Sequence, residues 1–480
     1  MIRNFMPELL LAIYVMAVWF LNAKREKSDG SPEKDSSIEL KETFLKEEDS
    51  AVGLIIKKTP AIHGQYLIFI AAIFACYLGD DSIKSGFFSG RYSESLLKSV
   101  LISGGLVISH LLQDESWKKQ IMAIVVTLGS TIAISSNDFL SLFMAIELAA
   151  IPTYFLVCSD EPFGEKHSYL VFGIIGALLL LFGIGLIYFS TGATNFNDVR
   201  YAVSFASTGT INRISLFLIS ISFVVRLGIF PFNSWAFDLA QKQSSQTALV
   251  FCSLQTAMAI AFHKIMIVVF PHLNAGNIIL ATGLISVIFG NFLLIFQNNI
   301  KKIIACSVIG NAGSVLICCA SPSYVGARGL VFSVISQIIS VLGISVILAR
   351  LKRSRPKEIK EIGDLNSLAW RHPFWALSVS LLFLSLMGFP PLLGFWGKVY
   401  ICSSLMGEFF AIFYMASLVF NLICVSKILD ALWFRENNDE FLLDRSSEKI
   451  ICLTSFMTIA AIPFVHKILE LLKAEIYFVH

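Results

Sequence analysis

The stretch Phe139-Leu-Ser-Leu-Phe-Met-Ala-Ile-Glu-Leu-Ala-Ala-Ile-Pro-Thr-Tyr-Phe-Leu-Val-Cys158 decides how this chain folds. Asn137 and Asp138 bound it on one side, and Ser159, Asp160 and Glu161 on the other. At ~1.5 Å of rise per residue a helix of this length crosses the hydrocarbon core of a bilayer. Its one charge, Glu147, then sits near mid-bilayer, where an ionised side chain costs about 2.5–3.5 kcal/mol or more. A residue that expensive persists because it has a partner or a task. Arg226, Lys264 and Lys398 lie inside other apolar runs at similar depths. Acids and bases placed together inside a membrane are the pattern of a proton or ion path.

Composition agrees. Of 480 residues 56% are hydrophobic and 15% charged, against roughly 25% charged in a soluble domain. Mean hydropathy is +0.73. The 41 Phe suit a lipid-facing surface. The runs are too long and too unalternating for barrel strands, so the chain is all-α and polytopic. Its net charge of +3 carries no nucleic-acid signal, because the basic residues lie between the apolar runs. The nine cysteines form no C-x-x-C and no Cys/His cluster, and read as small hydrophobes. No G-x-G-x-x-G follows a strand, no Walker motif occurs, and no intramembrane His pair suits haem. No metal site and no cofactor is therefore expected in this chain.

About fourteen spans follow, near 5–21, 62–78, 97–112, 120–136, 139–158, 168–190, 212–232, 245–271, 276–296, 301–320, 328–349, 373–400, 403–429 and 450–472. The run from Pro7 to Leu21 lacks a basic leader beyond Arg3 and a small-x-small cleavage site, so it is expected to remain as the first span. Lys and Arg concentrate in one alternate set of connections, which makes that set cytoplasmic and puts both termini outside. Residues 22–60 are charge-mixed and read as a disordered cytoplasmic loop. The expected organisation is a first helix (1–21), that loop, N-terminal helices (61–136), two repeats (137–272 and 273–434) and a last helix (435–480).

Two spans carry helix breakers. One runs Arg226-Leu-Gly-Ile-Phe-Pro-Phe-Asn-Ser-Trp-Ala-Phe-Asp238, the other Gly388-Phe-Pro-Pro-Leu-Leu-Gly-Phe-Trp-Gly-Lys398. Proline removes a backbone donor and clashes with the preceding turn. Carbonyls freed at membrane depth need protein or water around them, as in the broken helices of transporters.

With these segments in hand the chain resembles the antiporter-like membrane subunits of respiratory complex I, most closely the subunit N family of bacterial NADH:quinone oxidoreductase. The likeness runs from about Ser136 to Lys398. Ile146-Glu147-Leu148 with Pro152 and Tyr154 resembles the fifth helix with its buried glutamate. Arg226, Pro231-Phe232, Trp235 and Asp238 resemble Lys-x-x-x-x-Pro-Phe-His-x-Trp-x-x-Asp. Asn299-Ile-Lys-Lys-Ile-Ile-Ala-Cys-Ser307 resembles Asn-x-Lys-Arg-x-Leu-Ala-Tyr-Ser. Gly388 to Lys398 matches Gly-x-Pro-Pro-x-x-Gly-Phe-x-Gly-Lys. All four in order are specific for the superfamily and less so for the member. The resemblance implies two inverted five-helix repeats with broken helices, and a proton-translocating role among other complex I membrane subunits. NADH, flavin, iron–sulfur clusters and quinone would belong to those partners.

The departures matter. Arg226 stands where the family has lysine, and a guanidinium does not pass its proton on. It can act as a fixed countercharge to Glu147. Asn233 replaces a histidine, and Asn311 stands where another is expected. Counted without gaps from Asp238, the central lysine falls on Thr256. Lys264 lies eight residues later; either it replaces that lysine from a shifted height, or the central relay uses water and polar side chains while Lys264 reaches for the outer interface. The expected path is Glu147 and Arg226 as a coupling pair, Lys264 as central relay and Lys398 as the terminal base, with His263, Thr256 and Asn233 as secondary members. Asp138 and Asp238 read as helix-terminus residues. Two rival readings share these residues: a subunit of a multisubunit cation/proton antiporter, and a complex I scaffold whose path has decayed.

Overall fold

A computed structural model describes residues 8, 10–13, 15, 72, 91–112, 117–158, 168–205, 209–242, 244–269, 276–320, 323–354, 360–366, 368–405 and 409–435. Most of the first expected span, the charged loop, nearly all of the second span and the last span lie outside them. The described residues are mostly helical. In chain order they form α1 (Arg91–Leu111), α2 (Trp117–Ser135), α3 (Phe139–Cys158), α4 (Ser168–Thr191), α5 (Phe196–Phe205), α6 (Thr210–Leu227), α7 (Ser234–Ala240) and α8 (Ser244–Leu249). A π-helical turn, Val250–Leu254, leads into α9 (Gln255–Val268). Then come α10 (Gly276–Leu294), α11 (Ile300–Ala320), α12 (Tyr324–Ser354), a 3-10 turn at Ile362–Leu365, α13 (Leu368–Arg371), α14 (Pro373–Met387), α15 (Leu393–Ser404) and α16 (Phe410–Trp433). Each span expected between residues 97 and 429 has helix among its described residues, and those at 212–232 and 373–400 are interrupted after Leu227 and Met387. Among the described residues nine helices are long and apolar enough to cross a membrane.

Burial separates a centre from a rim. The spans Gln246–Ile267, Ile300–Ala320 and Tyr324–Leu351 are each 94% buried, whereas Ser168–Thr191 and Phe410–Trp433 are 33% buried. The rim helices expose Phe182, Phe189 and Leu178 on α4, and Phe413 and Leu422 on α16. An apolar outward face of that kind is stable against lipid and unstable against water. Inside, helices meet on glycine, because packing in lipid depends on close backbone approach rather than on hydrophobic expulsion. A Cβ on Gly290 would lie 2.8 Å from Gly310 N, across the α10–α11 contact, and one on Gly397 would lie 2.9 Å from Ser333 N, across α12–α15.

Two elements differ from the sequence expectation. The first is α1, which starts at Arg91 and not near residue 97, so that Glu94 becomes part of the helix. Its polar first turn looks like loop only until its partners are known. The second is α5, a short helix in the connection after α4. It is anchored by an antiparallel bridge between Asp138 and Asn195 and by edge-to-face contact of Phe139 with Phe196.

Candidate functional site: two broken helices, each with a buried cation

Both breaks use one backbone solution. The α6 helix ends at Gly228 with φ +70°, and α14 ends at Gly388 with φ +79°. At the first break Gly228 N donates to Val225 O (3.3 Å) and Ile229 N to Val224 O (3.1 Å). At the second, Gly388 N donates to Ser385 O (3.2 Å) and Phe389 N to Leu384 O (2.8 Å). These are Schellman caps, which need a left-handed residue that glycine adopts without a Cβ penalty. In each break the carbonyl just before the glycine is left for a side chain to satisfy.

At the first break that carbonyl, Leu227 O, accepts from Gln255 Nε2 at 2.7 Å. Gln255 Oε1 accepts in turn from Gln337 Nε2 (3.3 Å), which also donates to Phe251 O (3.1 Å) inside the π-helical turn. Two residues before the glycine, Arg226 forms a hydrogen-bonded ion pair with Glu147. The arginine side chain is 3% exposed and the glutamate 19%. Gly176 makes room for it: a Cβ there would be 2.6 Å from Arg226 Cγ. The guanidinium also borders a small cavity lined by Tyr154, Tyr169, Gly173, Trp235 and Met258, among others. Trp235 closes the break from below, donating from Nε1 to Val225 O at 3.0 Å.

At the second break the equivalent carbonyl, Met387 O, accepts from Lys398 Nζ at 2.7 Å and from Asn421 Nδ2 at 3.3 Å. Lys398 is buried. Among the described residues no carboxylate pairs with it. It lies over Gly388, where a Cβ would be 2.5 Å from its Cδ. Ser336 Oγ approaches Ser385 Oγ at 3.2 Å, so α12 reaches the first break through the Gln337–Gln255 hydrogen bond and the second through the adjacent Ser336.

Other expected members are placed as follows. The Thr256 hydroxyl bonds back to Cys252 O at 2.6 Å, within its own helix. Asn233 is buried at the start of α7, and its side chain makes no cap there. His263 is fully enclosed. Lys264 does not snorkel. It is 1% exposed and pairs with Glu94 at 3.1 Å, two turns beyond Thr256 and near the far end of α9. Asp138 accepts from Leu140 N (2.8 Å) and Ser141 N (3.0 Å), capping α3. Asp138 thus sits at a helix N-terminus, where a negative charge is favoured, whereas Asp238 lies within α7 and accepts from the hydroxyl of Ser168, the first residue of α4. The sequence reading missed Gln255, Gln337, Glu94, Lys98 and Glu8. Lys98 and Glu8 lay within expected apolar spans and could have been flagged by the argument used for Glu147. Among the described residues no group of three or more His, Cys, Asp or Glu could hold a metal ion.

Residues 136–424, more than half of the chain, match the family model described as NADH:quinone oxidoreductase/Mrp antiporter, TM. The chain belongs to that family. Within it, the chain is 24% identical over 407 residues to NADH-quinone oxidoreductase subunit N 1 of Rhizobium meliloti (strain 1021), covering 80% of this chain and 84% of that one. Its fold matches a chain of respiratory complex I from Thermus thermophilus (TM-score 0.76, 17% identity, 97% and 99% covered). It matches a chain of the Mrp complex from Dietzia sp. DQ12-45-1b equally well (TM-score 0.77, 14% identity, 99% and 97% covered). The chain is thus a multi-pass membrane protein of the antiporter-like kind.

Proposed function

We propose that this chain is a proton-translocating membrane subunit of an NADH:quinone oxidoreductase, in the position that subunit N occupies. It would sit in a bacterial cytoplasmic membrane with both termini outside. Its partners would be other membrane subunits, and the flavin, iron–sulfur and quinone chemistry would lie in the rest of the complex. The observation that carries this reading is the pair of glycine-capped helix breaks, each with a buried cation beside it, in a chain similar to curated proteins that bear the subunit N name.

The two sites divide the work by residue type. Arg226 holds a permanent charge, so it sets the state of Glu147 without carrying a proton itself. Among the described residues Lys398 has no acid beside it, and it rests on a carbonyl, so it can exist as ammonium or as amine; an amine buried among apolar groups avoids the desolvation cost of the charge. A conformational or electrostatic signal from the neighbouring subunits that alters the Glu147–Arg226 pair would favour or disfavour a proton on Lys398. The polar side chains between them, Gln255, Gln337, Ser336 and Ser385, orient but do not hold the charge.

The family also contains cation/proton antiporter subunits, and purification separates the two. A tag on the full chain, with gentle extraction of membranes from the cell that makes it, should recover NADH:quinone reductase activity with the tagged chain. Recovery of an assembly that exchanges cations for protons without reducing quinone would overturn the proposal in favour of the antiporter reading.

A further inference from the structure

A second buried charge cluster lies outside both breaks, at the end of the bundle where α1 begins and α2 and α9 end. Lys264 Nζ pairs with Glu94 Oε1 at 3.1 Å and donates to Ile134 O at 3.3 Å. The next residue on α2, Ser135, donates its hydroxyl to Glu8 Oε1 at 3.1 Å. Glu8 in turn pairs with Lys98 Nζ at 3.1 Å. Glu94 and Lys98 are four residues apart on α1 and share a face. Two lysines and two glutamates from three chain segments are therefore gathered around one turn of α2. We propose that this cluster is a proton-release station, with Lys264 as donor and Glu94 as outlet; the inference rests on the proton-translocating reading given above.

Exposure gives the direction. The Lys264 side chain is 1% exposed, Glu8 5% and Lys98 8%, while Glu94 is 20% exposed. The most hidden cation thus faces the group in the cluster most open to the outside. The step is simple to balance. An N–H bond of the Lys264 ammonium breaks and an O–H bond forms on the Glu94 carboxylate, leaving a neutral amine and a neutral acid. No net charge moves into the interior, and the buried charge of Lys264 is removed. Glu94 then loses its proton to water. Its place in the first turn of α1 favours the returning carboxylate. Lys98, held by Glu8, keeps a positive charge one turn away throughout. Lys264 is reloaded by a proton from the bundle interior.

A purely structural cluster would be an expensive way to pin helices, because buried ion pairs are no better than well-packed apolar side chains. The chemistry of the residues also discriminates. The pair that cannot release a proton uses arginine, at Arg226, whereas both cations here are lysine.

The test uses the intact complex in sealed vesicles and reads protons moved per electron. Lys264→Arg keeps the ion pair but removes the ability to give up a proton. Glu94→Gln keeps the shape of the outlet and removes its titration. Both should lower the ratio as far as Lys398→Met does. A purely structural cluster predicts that Lys264→Arg, which keeps the ion pair, pumps like the parent. If Lys264→Arg does not assemble, Glu94→Gln decides. A parental ratio in Glu94→Gln or in Lys264→Arg overturns the release station. Should Lys398→Met lower the ratio while Lys264→Arg and Glu94→Gln do not, the station alone falls. Should none of the three lower it, the proton-translocating reading falls and the station with it.

Discussion

The two broken helices share their backbone and differ in what meets the freed carbonyl. At Gly228 and Gly388 the cap hydrogen bonds correspond residue for residue, and the same carbonyl, one before the glycine, is left over. In the first half a neutral amide, Gln255, takes it, and the positive charge is a separate arginine tied to an acid. In the second half the cation itself, Lys398, takes it, with Asn421 alongside and no acid among the described residues. A helix break supplies an acceptor in a low-dielectric setting; the side chain that reaches it determines whether the site is an anchor or a switch. Each cation is also seated against a glycine, Gly176 under Arg226 and Gly388 under Lys398, but only Gly388 also has to adopt a positive φ.

The contrast breaks first at Lys398. Lys398→Ala should abolish or strongly reduce proton pumping while the complex still assembles, because Asn421 continues to satisfy Met387 O. Membrane potential and quinone reductase activity in vesicles measure it, and an unchanged ratio of the two would remove the switch from the second half.

In the first half the same kind of removal should act through the pair. Glu147→Gln or Arg226→Gln alone leaves one charge without its counter-ion, at a cost of about 3–5 kcal/mol for a fully buried pair and less here because Glu147 is partly exposed. The double variant should cost less than either single change. A double-mutant cycle on stability that comes out additive would show the two side chains to be independent.

The glycines sharpen the comparison at smaller magnitude. Gly388→Ala meets both a strained φ and the Lys398 side chain, whereas Gly176→Ala meets only the Arg226 side chain. Each should destabilise by about 1–3 kcal/mol, with Gly388→Ala the worse. Thermal unfolding of the purified complex ranks them, and the reverse order would mean that the left-handed cap contributes little.

The subtlest test exchanges the cation type. Arg226→Lys should be tolerated near neutral pH, since the countercharge survives. As pH rises the lysine can lose its proton, which removes the charge that favours ionised Glu147, so activity should fall on the alkaline side. Arg226→Gln should resemble that alkaline limit at every pH. If Arg226→Gln pumps like the parent, position 226 is not a countercharge at all.

Much of the frame was legible along the chain. Runs such as Phe139–Cys158 need no partner to be read, because bilayer thickness fixes how many apolar residues a helix must have. The breaks were legible for a similar reason: proline and glycine act on their own turn. The lone intramembrane charges pointed to a pairing of Glu147 with Arg226, since an isolated charge at that depth is costly wherever it comes from. Lys264 shows where such reasoning stops. Its spacing from Asp238 matched the family's central lysine poorly, and a reading along the chain left it between a relay and a snorkelling side chain. The structure places it against Glu94, a residue some 170 positions away in a turn that looked like loop.

The sequence by itself determined an all-helical membrane chain, the places where two helices must break, and the few charges that must be compensated. These follow from rules that act over one turn or one span. Only the tertiary structure decided that Gln255 rather than a lysine meets the first break, that α12 reaches both breaks through adjacent residues, and that Lys264, Glu94, Lys98 and Glu8 gather at one end of the bundle. Those contacts depend on how each helix is rotated and which helix stands beside it. That choice is set by glycine-mediated packing between segments far apart in the chain, and hydropathy along the chain does not record it.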